Sequence, residues 1–333
     1  MFSGRFVLCV SLLFCVSLLY AQSVRFGNIS KRNNYVVDGT LKKITFRVPE
    51  SLNGKKSFVR RGELVVKPGA RATVLIAHGY MCSMRDVAFL RWIFPGLNTL
   101  VFDFRAHGDH TNDQVCTFGH DEAYDVIAAV QFLKSYHETQ NKPIIAYGFS
   151  MGAVSIIEAL AKDPSLFIAR ILDCPFDSTE NIIKRALSNM KFNVLGLEFP
   201  LPGRMWLQKH AYHPYVQGFL KLMLKTVAQM DAIAVNTEIK QVSPITSISK
   251  TSIPTFLIHC RNDEKIPVSA ALDLYHNSRG FKRLWLTNGR RHFDSYFNDP
   301  EKYAHKIRRF IDKVLSQAYR GKSQAKIIED PLS

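Results

Sequence analysis

A serine between two glycines is the first feature of this sequence that could do chemistry. Ser150 lies in Gly148-Phe149-Ser150-Met151-Gly152, which has the form G-x-S-x-G. A β-branched and aromatic run precedes it and helix-forming residues follow it, as a tight strand-to-helix turn requires. In such a turn the serine is strained, and the residues two positions away must be small. We therefore predict that Ser150 is a nucleophile, the alternative being a small residue at a turn.

A serine hydroxyl is a weak nucleophile, so this hypothesis requires a base, and the base requires an orienting carboxylate. On sheets with this turn, the partners follow in the order serine, acid, histidine. Asp263 follows the apolar run at 253–260, and His292 follows the run at 281–287. We predict Asp263 as the acid and His292 as the base. The alternatives are a surface acid and a solvated histidine, with Asp173 as the other candidate carboxylate.

Three further histidines stand at the ends of predicted strands. His78, His107 and His259 each lie in or beside an apolar run. Histidines at such places are more often structural groups that hydrogen-bond their own loops than catalytic bases. We therefore expect a structural role for all three.

The elements that position these residues alternate along the chain. From residue 72 onwards, continuous apolar runs typical of strands buried on both faces alternate with helical patterns. Such βαβ units predict an α/β fold with a mostly parallel sheet and helices on both faces. An antiparallel hairpin is expected over 41–67, and a helical insertion replaces the alternation over 177–250.

The individual elements are predicted from periodicity and from glycine and proline punctuation. A proline-containing loop is expected at 198–206 within the insertion. The predicted strands are 41–49, 57–67, 72–80, 98–108, 143–149, 169–176, 253–260 and 281–287, and the predicted helices are 84–93, 120–136, 150–164, 178–190, 214–232, 269–278 and 300–317.

The two ends of the chain differ from the rest. One arginine precedes the apolar run Phe6–Leu19, and Ala21 follows as a small residue. This layout predicts a signal peptide over 1–21 and an exported, periplasmic or secreted protein, because the run is short for a membrane-spanning helix. An uncleaved N-terminal membrane anchor is the alternative. One domain is expected over 36–318, followed by a flexible basic tail over 319–333.

The net charge of +16 is large, but it is spread as short basic doublets. No cluster of them interleaves with aromatic residues as a nucleic-acid groove would, so no nucleic-acid partner is expected. A solvated basic surface is the favoured interpretation. Peripheral contact with an anionic membrane or envelope polymer is the alternative.

Four cysteines lie beyond the N-terminal segment: Cys82, Cys116, Cys174 and Cys260. Their spacings match neither a zinc site nor a C-x-x-C redox pair, and no metal site is expected. Buried free thiols are the favoured interpretation, with a Cys82–Cys116 bridge as the alternative.

Several blocks occur in order along the chain, among them LIAHGYMCSMRD, FDFRAHGDH, YGFSMGA, LDCPFDS and RRHF. In this order they resemble the alpha/beta-hydrolase superfamily, in its serine aminopeptidase and monoacylglycerol-lipase-like branch. The resemblance covers roughly Leu64 to Leu315. It implies an alpha/beta-hydrolase fold in which the insertion forms a helical lid.

The resemblance also implies the parts of an active site. Ser150 would be the nucleophile, Asp263 the acid and His292 the general base, without cofactor or metal. The backbone N–H groups of Tyr80 and Met151 would form the oxyanion hole that stabilises the charge developing on a carbonyl oxygen.

The resemblance implies a function, and two departures bear on it. Cys260 stands where the family usually has glycine, and Arg290-Arg291 stand where small residues usually precede the histidine. These residues could narrow a binding pocket or place positive charge beside it. We expect an enzyme that cleaves a small-molecule carboxylic ester through an acyl-serine intermediate. The alternatives are an aminopeptidase-like amide hydrolase and a catalytically silent binding module on the same scaffold.

Overall fold

One eight-stranded sheet organises the part of the chain that the structure describes. The structure is a computed structural model that describes residues 38–50, 56–109, 114–189, 191–194, 197–218 and 235–328. The strands of the large sheet are β1 (Thr40–Pro49), β2 (Ser57–Val66), β3 (Thr73–Ala77), β4 (Asn98–Phe102), β5 (Ile144–Phe149), β6 (Ala169–Asp173), β9 (Thr255–Cys260) and β10 (Lys282–Thr287).

The strand order is β1-β2-β4-β3-β5-β6-β9-β10. Neighbours from β4 to β10 pair in parallel, whereas β2 pairs antiparallel with both β1 and β4. The entry hairpin and the mostly parallel sheet are therefore as predicted. Because β5, β6, β9 and β10 are successive neighbours, the loops at their carboxyl ends meet at one edge of the sheet.

Helices connect the parallel strands. Before β4 lie a short helix α1 (Met84–Val87) and a 3₁₀ helix (Ala88–Ile93), where one helical stretch was predicted. Residues 214–218 are also helical. The other helices are α2 (Glu122–Ser135), α3 (Met151–Lys162), α4 (Thr179–Asn189), α5 (Arg204–Lys209), α6 (Pro244–Ser247), a 3₁₀ turn (Ile248–Lys250), α7 (Val268–Asn277), α8 (Asp294–Phe297) and α9 (Pro300–Ile328).

The core has one layer on each face of the sheet. Along β3, Leu75 and Ala77 join one buried cluster, while Val74 and Ile76 join the other. The first cluster includes residues of α2 and α3, and the second includes residues of α9 and the first 3₁₀ helix. Since alternate side chains of a strand point to opposite faces, a strand covered on both faces is apolar throughout. The predicted placement of helices on both faces is confirmed.

The insertion between β6 and β9 differs from its prediction. A second, two-stranded antiparallel sheet forms there from β7 (Lys191–Val194) and β8 (Leu197–Pro200), and α5 follows it. The sequence predicted a loop at 198–206, because Pro200 and Pro202 cannot donate ladder hydrogen bonds. The strand ends at Pro200, so the prolines terminate it rather than prevent it. Residues 219–234 of the predicted second helix lie outside the described residues.

The structure describes only part of the two chain ends for which predictions were made. Helix α9 continues to Ile328, past the expected end at residue 317. The added residues are mostly good helix formers, and extending an existing helix needs no apolar periodicity. The expected signal segment, 1–21, lies outside the described residues. Among the residues that are described, no helix is both long enough and apolar enough to cross a membrane.

Candidate active site

Ser150 occupies a strained turn between β5 and α3. Its backbone has φ 51° and ψ −116°, outside the regions that residues with a side chain normally adopt. The turn is held because the Ser150 N–H donates to the carbonyl of Asp173 at 2.8 Å. Strain of this kind persists only where the surroundings enforce it, and it is typical of functional sites.

The glycines around Ser150 are required by contact distances. A Cβ atom on Gly152 would lie 2.3 Å from the carbonyl oxygen of Ala77, and one on Gly148 would lie 2.6 Å from Cα of Ala153. Real Cβ atoms do not approach other atoms so closely. The turn that carries Ser150 therefore packs directly against β3 and against the first turn of α3.

Asp263 and His292 are brought together from two different loops. The Nδ1 atom of His292 lies 2.7 Å from Oδ2 of Asp263, and both residues are buried. The other carboxylate oxygen accepts backbone hydrogen bonds from Lys265 at 2.8 Å and Ile266 at 3.0 Å. Burial acts to raise the pKa of Asp263, but His292 and the two N–H groups outweigh it and hold the pKa below its usual value. Asp263 is therefore ionised at neutral pH.

His292 is held beside the turn that carries Ser150. Its ring packs on Phe149, the residue before Ser150, with 5.0 Å between ring centroids. The next residue, Phe293, has φ 74°, and the Asp294 carboxylate accepts the backbone N–H of Arg291 at 2.9 Å. Sequence analysis did not identify Asp294, although an acid two residues after a histidine in a basic loop is a recognisable turn-forming residue.

The segments that carry the two expected oxyanion donors lie next to Ser150. Met151 is the first residue of α3, and an N–H at that position has no acceptor within the helix. Gly79 precedes Tyr80, and a Cβ built on it would lie only 3.4 Å from Cβ of Ser150. The loop that carries Tyr80 thus passes directly over the serine.

His78 and His107 support this loop. His78 is buried, with Nδ1 2.8 Å from the carbonyl of Gly79 and Nε2 accepting the N–H of Phe104 at 3.1 Å. Nε2 of His107 accepts the N–H of Met81 at 3.2 Å. Burial lowers the pKa of His78 to about 3 and that of His107 to about 4, so both stay neutral. The structural role predicted for them is confirmed.

His259 is the third structural histidine. It is buried at the end of β9, and its Nε2 lies 2.9 Å from the carbonyl oxygen of Ile266. This contact closes the loop that contains Asp263. The predicted structural role is therefore confirmed for His259 as well.

Asp173, the alternative carboxylate, has a different environment. It is buried at the end of β6, and its Oδ2 accepts a 2.6 Å hydrogen bond from the hydroxyl of Tyr303. That hydroxyl also lies 2.7 Å from the hydroxyl of Tyr147. Burial raises the pKa of Asp173 to about 8, although the bond from Tyr303 opposes the shift. Asp173 is thus largely protonated at neutral pH.

The insertion reaches the candidate site through Phe118. The ring of Tyr80 lies 4.8 Å from the ring of Phe118, measured between centroids. Phe118 packs in turn against the buried apolar cluster of the insertion, which includes Ile183, Leu187 and Leu201. The cluster therefore forms an apolar wall next to the loop that carries Tyr80.

The four cysteines of the described region are free thiols. Cys116, Cys174 and Cys260 are buried, as predicted, and the alternative Cys82–Cys116 bridge is not formed. The Sγ atom of Cys174 lies within 4.8 Å of a ring nitrogen of His292 and of a carboxylate oxygen of Asp263. Such donors could in principle share a metal ion, but here the acid and the imidazole already share a hydrogen bond with each other.

Known proteins with a similar sequence or structure agree with this architecture. Residues 74–306 match the model of the alpha/beta hydrolase family. The uncharacterized protein YqkD of Bacillus subtilis (strain 168) is 28% identical over 248 residues, which cover 73% of this chain and 72% of YqkD.

Solved structures give the same result for the fold. The Pyrococcus furiosus esterase Pf2001 superposes with a TM-score of 0.58 at 21% identity, covering 84% of this chain and 96% of that one. The alpha/beta hydrolase GrgF from Penicillium sp. sh18 superposes with a TM-score of 0.56 at 17% identity, covering 83% and 99%. The family model spans most of the chain, and its fold is the one described above. This chain belongs to the alpha/beta hydrolase family.

Proposed function

We propose that the protein is a serine hydrolase that cleaves a carboxylic ester through an acyl-serine intermediate. The observation that carries the proposal is the 2.7 Å contact between Asp263 and His292, beside the strained turn of Ser150. The buried, ionised carboxylate of Asp263 contacts Nδ1 of His292, so the other ring nitrogen, Nε2, can act as the base. Membership of a hydrolase family and similarity to an esterase structure also support the proposal.

In the proposed mechanism, Ser150 attacks the ester carbonyl while His292 accepts the serine proton. Asp263 fixes the ring orientation and stabilises the imidazolium that forms. The N–H groups of Tyr80 and Met151 bind the oxyanion, each worth about 3 kcal/mol in the transition state. His292 then returns the proton to the departing alcohol, and water attacks the acyl-serine in a second, equivalent cycle.

Asp263 is preferred to Asp173 as the acid for two reasons. Asp263 contacts His292 directly, and its pKa lies below the usual value. Asp173 bonds Tyr303, and burial raises its pKa to about 8. A protonated carboxyl group would not stabilise an imidazolium, so Asp173 is assigned no direct part in proton transfer.

The acyl group is proposed to lie along the apolar wall of the insertion, in keeping with the monoacylglycerol-lipase-like branch of the family. Phe118 and Tyr80 connect that wall to the serine turn. A peptidase of the serine aminopeptidase kind is the alternative. It would need a charged group placed to bind a peptide terminus, and Arg290 and Arg291 in the His292 loop are candidates for a carboxylate.

A substrate panel distinguishes these functions. We expect p-nitrophenyl esters of increasing acyl length to be hydrolysed, and aminoacyl p-nitroanilides to be cleaved far more slowly. Ser150→Ala should abolish the activity, while Ser135→Ala, an exposed serine at the end of α2, should retain it. Preferential cleavage of the anilides would favour the peptidase, and inactivity of the folded parent toward both would favour a silent binding module.

The proposal includes export and a peripheral contact with an anionic membrane or envelope. The apolar run Phe6–Leu19 after one arginine supports export. The net charge of +16 supports the contact, as do Met205 and Trp206 of α5, which are 80% and 58% exposed. Basic and aromatic side chains together favour the interface of an anionic bilayer. Co-sedimentation of Ser150→Ala protein should be stronger with phosphatidylglycerol vesicles than with phosphatidylcholine vesicles. Equal binding to the two would contradict this part.

A further inference from the structure

Cys174 and Cys260 lie together at the carboxyl ends of two paired strands. Strands β6 and β9 are parallel neighbours, and the N–H of Cys174 donates to the carbonyl of Ile258 at 2.9 Å. Both side chains are fully buried in the same apolar cluster, and each thiol shifts the pKa of the other.

The thiol pair touches every segment that carries the proposed catalytic residues. Cys174 follows Asp173, whose carbonyl holds the N–H of Ser150 at 2.8 Å. The carbonyl of Cys260 accepts the N–H of Asp263 at 3.2 Å.

The third segment is the one that follows His292. Sγ of Cys260 lies 3.2 Å from the hydroxyl of Ser295, and Sγ of Cys174 lies within 4.8 Å of the His292 ring. A covalent change at the pair therefore acts on all three loops at once.

We propose that Cys174 and Cys260 are a peroxide-sensitive modification site, at which hydrogen peroxide converts the two thiols into a disulfide that suppresses hydrolysis. The effect on hydrolysis rests on the proposed function, whereas formation of the disulfide does not. Hydrogen peroxide is little larger than water. Sγ of Cys174 lies within 4.8 Å of a ring nitrogen of His292, so peroxide that enters beside His292 meets the thiol pair.

The reaction proceeds in two balanced steps. The thiolate of Cys260 attacks one peroxide oxygen, the O–O bond breaks, and hydroxide leaves and takes up a proton as water, giving a sulfenic acid. The sulfur of Cys174 then attacks that sulfenic sulfur, and the S–O bond breaks. The thiol proton leaves with the hydroxyl group as a second water. Two thiols are oxidised and one peroxide is reduced to two waters.

The surroundings of the two sulfurs suit these different roles. The Cys174 thiol and the hydroxyls of Ser295 and Thr287 lower the pKa of Cys260 against the effect of burial. The two hydroxyl oxygens lie 3.2 Å and 3.6 Å from Sγ of Cys260 and can stabilise its thiolate. Burial raises the pKa of the Cys174 thiol well above its usual value. Cys260 is therefore the thiol that attacks the peroxide, and Cys174 is the thiol that resolves the sulfenic acid.

The disulfide should weaken hydrolysis by displacing the loops. An S–S bond holds the sulfurs at about 2.05 Å, closer than two thiols in hydrogen-bond contact. The resulting shift of Cys260 alters the turn that presents Asp263. Misplacement of a catalytic group by about 1 Å can cost about 100-fold in rate, so we expect a loss of up to that size.

The direct test is peptide mapping of the peroxide-treated protein by mass spectrometry. The treated chain should be lighter by two hydrogen atoms, with Cys174 and Cys260 in one cross-linked peptide pair that dithiothreitol separates. Ester hydrolysis should fall as the cross-link forms and return on reduction. Cys174→Ser and Cys260→Ser should resist the loss of activity, whereas Cys82→Ser should remain sensitive.

Two results would overturn the inference. One is peroxide treatment that leaves both thiols free, or oxidises them without joining them, in the folded parent. The other is a cross-link that forms fully while hydrolysis is unchanged. Mapping the cross-link in the Ser150→Ala variant separates this inference from the proposed function, because disulfide formation needs no active serine.

Discussion

The Nδ1 atom of His292 and the Oδ2 atom of Asp263 lie 2.7 Å apart, although the residues are 29 positions apart in the chain. The contact forms because β9 and β10 are adjacent and parallel, which places the loops that follow them side by side. The Asp263 carboxylate is also fixed by the N–H groups of Lys265 and Ile266. The geometry of the pair is therefore set by the sheet as well as by the two side chains.

Asp263→Asn tests the orienting role of the carboxylate. The amide can still accept the two backbone N–H groups, so the fold should be retained. It favours the wrong tautomer of His292, and kcat for an ester substrate should fall by about 10⁴-fold. The measurement is steady-state kinetics with circular dichroism of the same sample. Asp273→Asn, an exposed acid on α7, is the control and should match the parent, and a folded Asp263→Asn enzyme with near-parental kcat would contradict the assignment.

Gly152→Ala tests the close packing of the turn that carries Ser150. The added Cβ would lie 2.3 Å from the carbonyl oxygen of Ala77, so either the turn or β3 must move. We expect a destabilisation of about 1 to 3 kcal/mol from overpacking and a loss of activity beyond the loss of folded protein. Thermal unfolding and ester hydrolysis measure the two effects. The matched control is Gly218→Ala, because no atom of the described residues lies within 4 Å of a Cβ at that position. Equal behaviour of the two variants would refute the packing argument.

Asp173→Asn tests the buried carboxyl group through the pH dependence of stability. Burial raises the Asp173 pKa to about 8, so between pH 4 and pH 8 the folded state keeps a proton that the unfolded state releases. The parent should therefore lose stability as pH rises through this range, by at most about 1.4 kcal/mol per pH unit.

The asparagine variant lacks this titration and can still accept the Tyr303 hydroxyl. Its free energy of unfolding, measured by urea denaturation, should rise relative to that of the parent from pH 4 to pH 8. A difference that stays constant over the range would mean that Asp173 is already ionised in the folded protein.

The order of strands and helices along the chain was predictable, because a strand that is buried on both faces is a continuous apolar run, as in Thr73–Ala77 and Thr255–Cys260. The G-x-S-x-G motif was likewise a usable local signal, because there is no space for a side chain at Gly148 or Gly152. Contacts that depend on pairing between distant segments left no such signal.

Three features of the structure were not predicted. Strands β7 and β8 pair antiparallel, although the prolines in and after β8 indicated a loop over 198–206. The meeting of Cys174 with Cys260 depends on the register of β6 against β9, which no spacing along the chain specifies. The bond from the Arg291 N–H to Asp294 is a local turn contact, and it was missed although an acid two residues after His292 is a sequence signal for a turn.

Labelling with a fluorophosphonate probe tests the central claim, that Ser150 is a nucleophile activated by His292. The probe reacts covalently with an activated serine, and peptide mapping identifies the residue that carries it. We predict that the folded parent is labelled at Ser150, that Ser150→Ala is not labelled, and that His292→Ala reacts far more slowly. Absence of labelling in the folded parent, or labelling that persists in Ser150→Ala, would contradict the account.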